Sequence, residues 1–124
     1  ILNYGHTFGH ALEALGQYTG LNHGEAIAIG MCMAADLAVA LGMCPAESAH
    51  RQETLLSQLG LPVSASETLD TDAESVFKLM RHDKKVQHGT LRLVLPSALG
   101  TAEIVSSGFE ETTVLAAIGR RLGQ

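Results

Sequence analysis

A chain of 124 residues with 46% hydrophobic content suits one domain with a real core. Aromatics make up 4% and Trp is absent, so Leu, Ala, Val, Ile and Met must fill that core. A formal net charge of −5 and a pI near 5.6 argue against a nucleic-acid binder, which needs a basic surface, and leave room only for a small local anion site.

The first predicted helix covers residues 4–15 and ends at Gly16, a residue suited to a helix C-cap. "HGEAIAIGMCMAADLAVALG" predicts a second, long helix over residues 24–41. It is apolar nearly all round and so belongs at the centre of the domain, with Gly30 and the alanines allowing neighbouring helices to come close. The apolar run over residues 26–41 is interrupted by Asp36 and falls short of the ~20 residues of a membrane span, so no membrane partner is expected. "CPAESAHRQETLLSQLG" predicts a third helix, with Pro45 in its first turn and Leu55, Leu56 and Leu59 as its apolar face. In "TDAESVFKLMRHDKK", Thr71 and Glu74 have capping-box spacing, and Val76, Phe77 and Met80 are expected to pack inward. "QHGT" reads as a turn. "LRLVLP" and "TAEIVSS" read as two strands of a hairpin across "SALG". "FEETTVLAAIGRRLG" predicts a last amphipathic helix, with Arg120 and Arg121 in a final turn that suits the helix dipole. The expected fold is mainly α, one helical domain over residues 1–124 with one short β-hairpin.

Cys32 and Cys44 belong to no CxxC pair and lie in or beside apolar sequence. Together with the lack of a visible signal peptide, this predicts two buried free thiols in a reducing, cytoplasmic setting. The chain starts at Ile1, two residues before its first informative motif, which predicts a C-terminal piece of a longer enzyme.

Six histidines are present: His6, His10, His23, His50, His82 and His88. His6 and His10 are four apart and share one helix face, with Glu13 one turn further on. His23 follows a short loop, where its imidazole can turn back toward the first helix. Two imidazoles and a carboxylate form a familiar catalytic Zn²⁺ set with an open position. Spacing allows His6 and His10 to be joint ligands with His23 or Glu25 as the third. It equally allows one ligand histidine and one proton-transfer histidine. Gly5 and Gly9 each cost a helix ~1 kcal/mol relative to Ala. Their presence implies close approach of backbone or ligand, or dense packing against the second helix. Arg81, His82, Lys84 and Lys85 crowd the end of the fourth helix, either as a solvated cationic terminus or as a clamp for phosphate or carboxylate.

"LNYGHTFGHALEA", "HGEAIAIGM" and "DKKVQHGTLRLVLPSALG", in this order over nearly the whole chain, resemble the C-terminal domain of 3-dehydroquinate synthase, within the sugar-phosphate cyclase superfamily. The resemblance implies a cytoplasmic lyase of the shikimate pathway, which leads to aromatic amino acids. It implies an N-terminal NAD-binding α/β domain absent from this chain, a mainly helical C-terminal domain, and an active site between the two. It further implies catalytic NAD, a divalent metal (Zn²⁺, or Co²⁺ in some members), a small sugar-phosphate substrate and a homodimer as the full-length enzyme.

The same resemblance implies that His6 and His23 are metal ligands, with a third ligand, a glutamate, on the missing domain. His10 is implied as the catalytic, substrate-facing proton carrier and Asn3 as a substrate-binding residue. One of Lys84 and Lys85 is implied to contact the substrate's anionic groups. An arginine that precedes the asparagine in the family would fall before Ile1. Glu13 or Glu25 is placed to hold an imidazole N–H, or else to be solvated or cap a helix. No residue for binding NAD is identified, and with no dinucleotide fingerprint the chain alone is expected to be inactive. A 2-deoxy-scyllo-inosose or valiolone-type cyclase, and a non-catalytic helical metal-binding domain, are the alternatives.

Overall fold

Every other described element of the domain except α4 and β2 packs against one helix, and its sequence says why. α2 (His23–Ala40) has small or apolar residues on every side, so no face of it favours water. In a computed structural model describing residues 4–16, 20–65, 69–87, 91–97 and 101–124, it is the central buried helix. The side chains of residues 83–87 lie outside the description. α2 is long and apolar enough by composition to cross a membrane, but that character is accounted for by its burial among its neighbours.

Around α2 pack α1 (His6–Leu15), α3 (Ala46–Gln58), α5 (Glu111–Arg120) and the first strand of the hairpin. α4 (Ala73–Gln87) lies against α1 and α5. The hairpin pairs β1 (Leu93–Pro96) antiparallel with β2 (Ala102–Val105), in a register that sets Leu93 opposite Val105 and Pro96 opposite Ala102. Alternation along β1 buries Leu93 and Leu95 completely and leaves Val94 partly exposed. The mainly α fold with one short hairpin is therefore the one the sequence predicts. One core joins Phe8, Leu12, Ile29, Met33, Leu37, Val76, Met80, Leu93, Leu95 and Ile118.

Three local expectations are corrected. On α3 only Leu56 is buried, while Leu55 is 56% and Leu59 67% exposed, because the helix touches the domain along a narrow stripe against α2. The start of α4 is capped by Asp72, whose Oδ1 accepts from the Ser75 N–H at 2.8 Å, so the cap lies one residue beyond Thr71. Arg121 does not serve the α5 dipole from the surface. It is buried, with its guanidinium hydrogen-bonded to Asp36 and Glu53. α4 continues through Gln87, and His88, Gly89 and Thr90 of the expected turn lie outside the described residues.

Cys32 and Cys44 are free and buried, as expected. Burial pushes the Cys32 thiol up to about 11. The thiolate is the reactive form, so alkylation of native Cys32 is expected to be negligible at neutral pH and to accelerate about tenfold per pH unit toward that value. Counting labelled cysteines by mass spectrometry, before and after unfolding, checks this. Rapid native labelling of Cys32 at neutral pH would contradict it.

Candidate active site

α1 starts at His6 because Gly5 takes a positive φ of 81°, a conformation closed to most side chains, and so stops the helix from reaching back to Tyr4. Gly5 is also pressed against α2, where a Cβ would sit 2.7 Å from the Met31 backbone nitrogen. A Cβ on Gly9 would meet Ile27 Cδ1 at 2.7 Å, and one on Gly30 would meet the Gly5 carbonyl oxygen at 2.3 Å. The glycines before the two histidines thus serve dense packing of α1 on α2. That packing fixes the height of His6 and His10 relative to the start of α2.

His23 is the first residue of α2, and its backbone is held by the cap beside it. Asn22 Oδ1 accepts from the Glu25 N–H at 2.8 Å, and Glu25 Oε1 accepts from the Asn22 N–H at 3.0 Å. Glu25 is therefore engaged as a cap. Glu13 is the carboxylate on the imidazole, with Oε1 and Oε2 at 3.1 and 3.3 Å from His23 Nδ1.

The three rings form a triangle. Their centroids are 5.4 Å apart for His6 and His10, 6.2 Å for His6 and His23, and 6.3 Å for His10 and His23. The His6 Nδ1 is buried with no hydrogen-bond partner among the described residues, a state that costs about 1–3 kcal/mol and is uncommon in folded proteins. No group of three or more His, Cys, Asp or Glu among the described residues is placed to hold a metal ion by itself. The donor chemistry nonetheless fits a shared cation. A carboxylate on Nδ1 favours the neutral tautomer that keeps the Nε2 lone pair of His23 free, an arrangement common among metal-bound imidazoles, and His6 contributes a second ring.

His10 is exposed and faces a cleft of ≈190 Å³ that it shares with Thr7, Ala14, Leu79, Met80 and His82. α4 thus meets the histidine face of α1 just before Lys84 and Lys85. The backbone of both lysines continues α4, their side chains lie outside the described residues, and so does Asn3. Sequence reasoning placed His82 in a cationic cluster but not beside His10. Its position directly before "DKK" was the available signal. A larger cavity of ≈610 Å³, lined by Tyr4, Ser48, Gln52, Ser97 and Thr101 among others, contains none of the three clustered histidines. There the Tyr4 hydroxyl donates to Gln52, and burial pushes the phenol far up, so it is a structural group.

The family profile described as 3-dehydroquinate synthase C-terminal matches residues 1–86, a span that holds all three clustered histidines and the lysine pair. The chain belongs to this family. Its relatives include 3-dehydroquinate synthases of Thermosynechococcus vestitus, 51% identical over 84% of the chain, and Rhodopirellula baltica, 43% identical over 98%. The chain spans 28% and 32% of the length of these two relatives. Among solved structures, 2-deoxy-scyllo-inosose synthase, complexed with carbaglucose-6-phosphate, NAD⁺ and Co²⁺, superposes with a TM-score of 0.77 at 30% identity. That match covers 97% of this chain and 34% of the other. The fold is also that of the 2-epi-5-epi-valiolone synthase of Streptomyces hygroscopicus subsp. jinggangensis 5008, with a TM-score of 0.79 at 24% identity, covering 94% of this chain and 31% of that one.

Proposed function

We propose that this chain is the metal- and substrate-binding domain of a cytoplasmic 3-dehydroquinate synthase. That enzyme converts 3-deoxy-D-arabino-heptulosonate 7-phosphate to 3-dehydroquinate and phosphate. The observation that carries the reading is the histidine triangle: α1 and α2 bring His6, His10 and His23 together at one edge of the domain.

In this reading His6 and His23 hold the cation, and a glutamate from an upstream NAD-binding domain completes the site. When bound, the cation supplies Lewis acidity toward a substrate hydroxyl, and NAD supplies the hydride acceptor. The residues of this chain do the rest. His10, exposed and one turn from His6, takes up a proton from the carbon acid beside the new carbonyl and carries it toward the departing phosphate oxygen. Asn3 orients the substrate by hydrogen bonding. Lys84 or Lys85 offers a point charge to its anionic groups. Leu79 and Met80 form the apolar side of the cleft beside His10. The full-length enzyme is proposed to act as a homodimer.

The test uses the full-length protein, stripped of metal with a chelator and assayed for phosphate release. Release is expected to require both NAD⁺ and Zn²⁺ or Co²⁺, and to fall at least 100-fold in His6→Ala and in His23→Ala. Full activity in either variant would sink the metal assignment, and release without NAD⁺ would sink the reaction. The 30% identity to the solved 2-deoxy-scyllo-inosose synthase supports a second reading, a cyclase for another sugar phosphate. The same assay, run over a panel of sugar phosphates, separates the two.

A further inference from the structure

We infer that Glu13 is a positioning residue that sets the tautomer and orientation of His23 for cation binding. The inference rests on the proposed role of His23 as a ligand. Three observations support it.

First, Glu13 lies three residues after His10 and seven after His6, on the same face of α1, so one helix presents both imidazoles and the carboxylate to the start of α2. Second, both carboxylate oxygens lie within 3.3 Å of His23 Nδ1. An ionised carboxylate only accepts, so Nδ1 carries the hydrogen, and in the neutral ring that cation binding requires the lone pair resides on Nε2. Third, the competing acid is already engaged. Glu25, closer to His23 in sequence, is held in the capping box with Asn22 and so leaves the imidazole to Glu13.

The pair contributes little to the fold. The side chains of His23 and Glu13 are 59% and 38% exposed, and ion pairs that open to water add little net stability. The arrangement is better explained by what it does to the ring. The Asn22 cap fixes the His23 backbone, and the carboxylate fixes its imidazole. Without Glu13 the exposed ring would rotate and exchange tautomers, presenting Nε2 to the cation only part of the time.

The experiment measures Zn²⁺ affinity of the full-length protein by chelator competition, for wild type, Glu13→Gln, Glu13→Ala and His23→Ala. It adds ring ¹⁵N shifts of His23 in the metal-free protein and thermal melts. Glu13→Gln, which keeps an acceptor but loses the charge, is expected to weaken Zn²⁺ binding about 10-fold, and Glu13→Ala up to about 100-fold. The ¹⁵N shifts should show the Nδ1–H form in wild type and a tautomer mixture in Glu13→Ala, with little change in melting temperature. If His23→Ala abolishes binding while both Glu13 variants stay within twofold of wild type, the inference fails and the metal site stands. If His23→Ala leaves binding unchanged, the metal site fails and this inference with it. A lowered melting temperature with an unaltered tautomer would make Glu13 merely structural and also overturn it.

Discussion

Replacing Arg121 by alanine is expected to destabilise the domain by about 3–5 kcal/mol, read as a fall in the urea midpoint at unchanged slope. The guanidinium forms a fork on Asp36, with Nε 2.7 Å from Oδ2 and Nη2 2.9 Å from Oδ1. Its Nη1 donates to Glu53 and, at 3.3 Å, to the Val63 carbonyl. The Arg121 and Asp36 side chains are only 10% and 7% exposed. Burial alone would favour the neutral guanidine, but the hydrogen bonds that Arg121 donates to Asp36 and Glu53 outweigh it and hold Arg121 charged, above its usual range. Truncation would leave the Asp36 carboxylate buried inside the central helix with no cation, and that stranded charge accounts for most of the expected loss. The pair itself adds much less than its removal costs. Arg121→Met combined with Asp36→Leu is therefore expected to recover most of the lost stability. A loss below about 1 kcal/mol for Arg121→Ala would mean that α2, α3 and the end of α5 are held together by packing alone.

Arg121 also shows where sequence reading stops. Its place in the last turn of an amphipathic helix made a dipole partner the reasonable local expectation, whereas Asp36 is 85 residues away and was legible only as an interruption in an apolar run. The elements and their order were legible because helical periodicity, strand alternation and terminal glycines are local signals. The three leucines of α3 were not separable, because which of them is buried depends on how far α3 leans on α2. In the site, spacing put His6 and His10 on one face, but only the fold shows His23 completing the triangle. The choice between Glu13 and Glu25 did have a local clue. Asn22 and Glu25 have capping-box spacing, and that pattern takes Glu25 away from the imidazole.

Gly30→Ala is the change that ties the fold to the site, and two effects give it opposite signs. Helix propensity alone predicts that alanine in the middle of α2 adds up to ~1 kcal/mol. Sterics predict the reverse. The new Cβ would sit 2.3 Å from the Gly5 oxygen, 2.7 Å from the Gly9 nitrogen and 3.0 Å from the Gly9 Cα. These are backbone atoms that cannot rotate away, and the first two form the hydrogen bond that opens α1, at 2.8 Å. Relief requires α1 to move off α2. Overpacking of this kind costs typically ~1–3 kcal/mol, and with a backbone contact this close sterics should win. The displaced helix carries His6, His10 and Glu13, while His23 stays with α2. A shift of about 1 Å in catalytic geometry can cost 100-fold in rate, so Gly30→Ala should lower both Zn²⁺ affinity and turnover of the full-length protein. Gly24→Ala is the control. It lies in the same helix beside His23, and its Cβ would meet only Asn22 Oδ1, at 3.6 Å, so stability should change little. Thermal melts, chelator competition and phosphate release on both variants measure the difference. If Gly30→Ala were as stable and active as Gly24→Ala, close contact between α1 and α2 would not be what sets the histidine triangle.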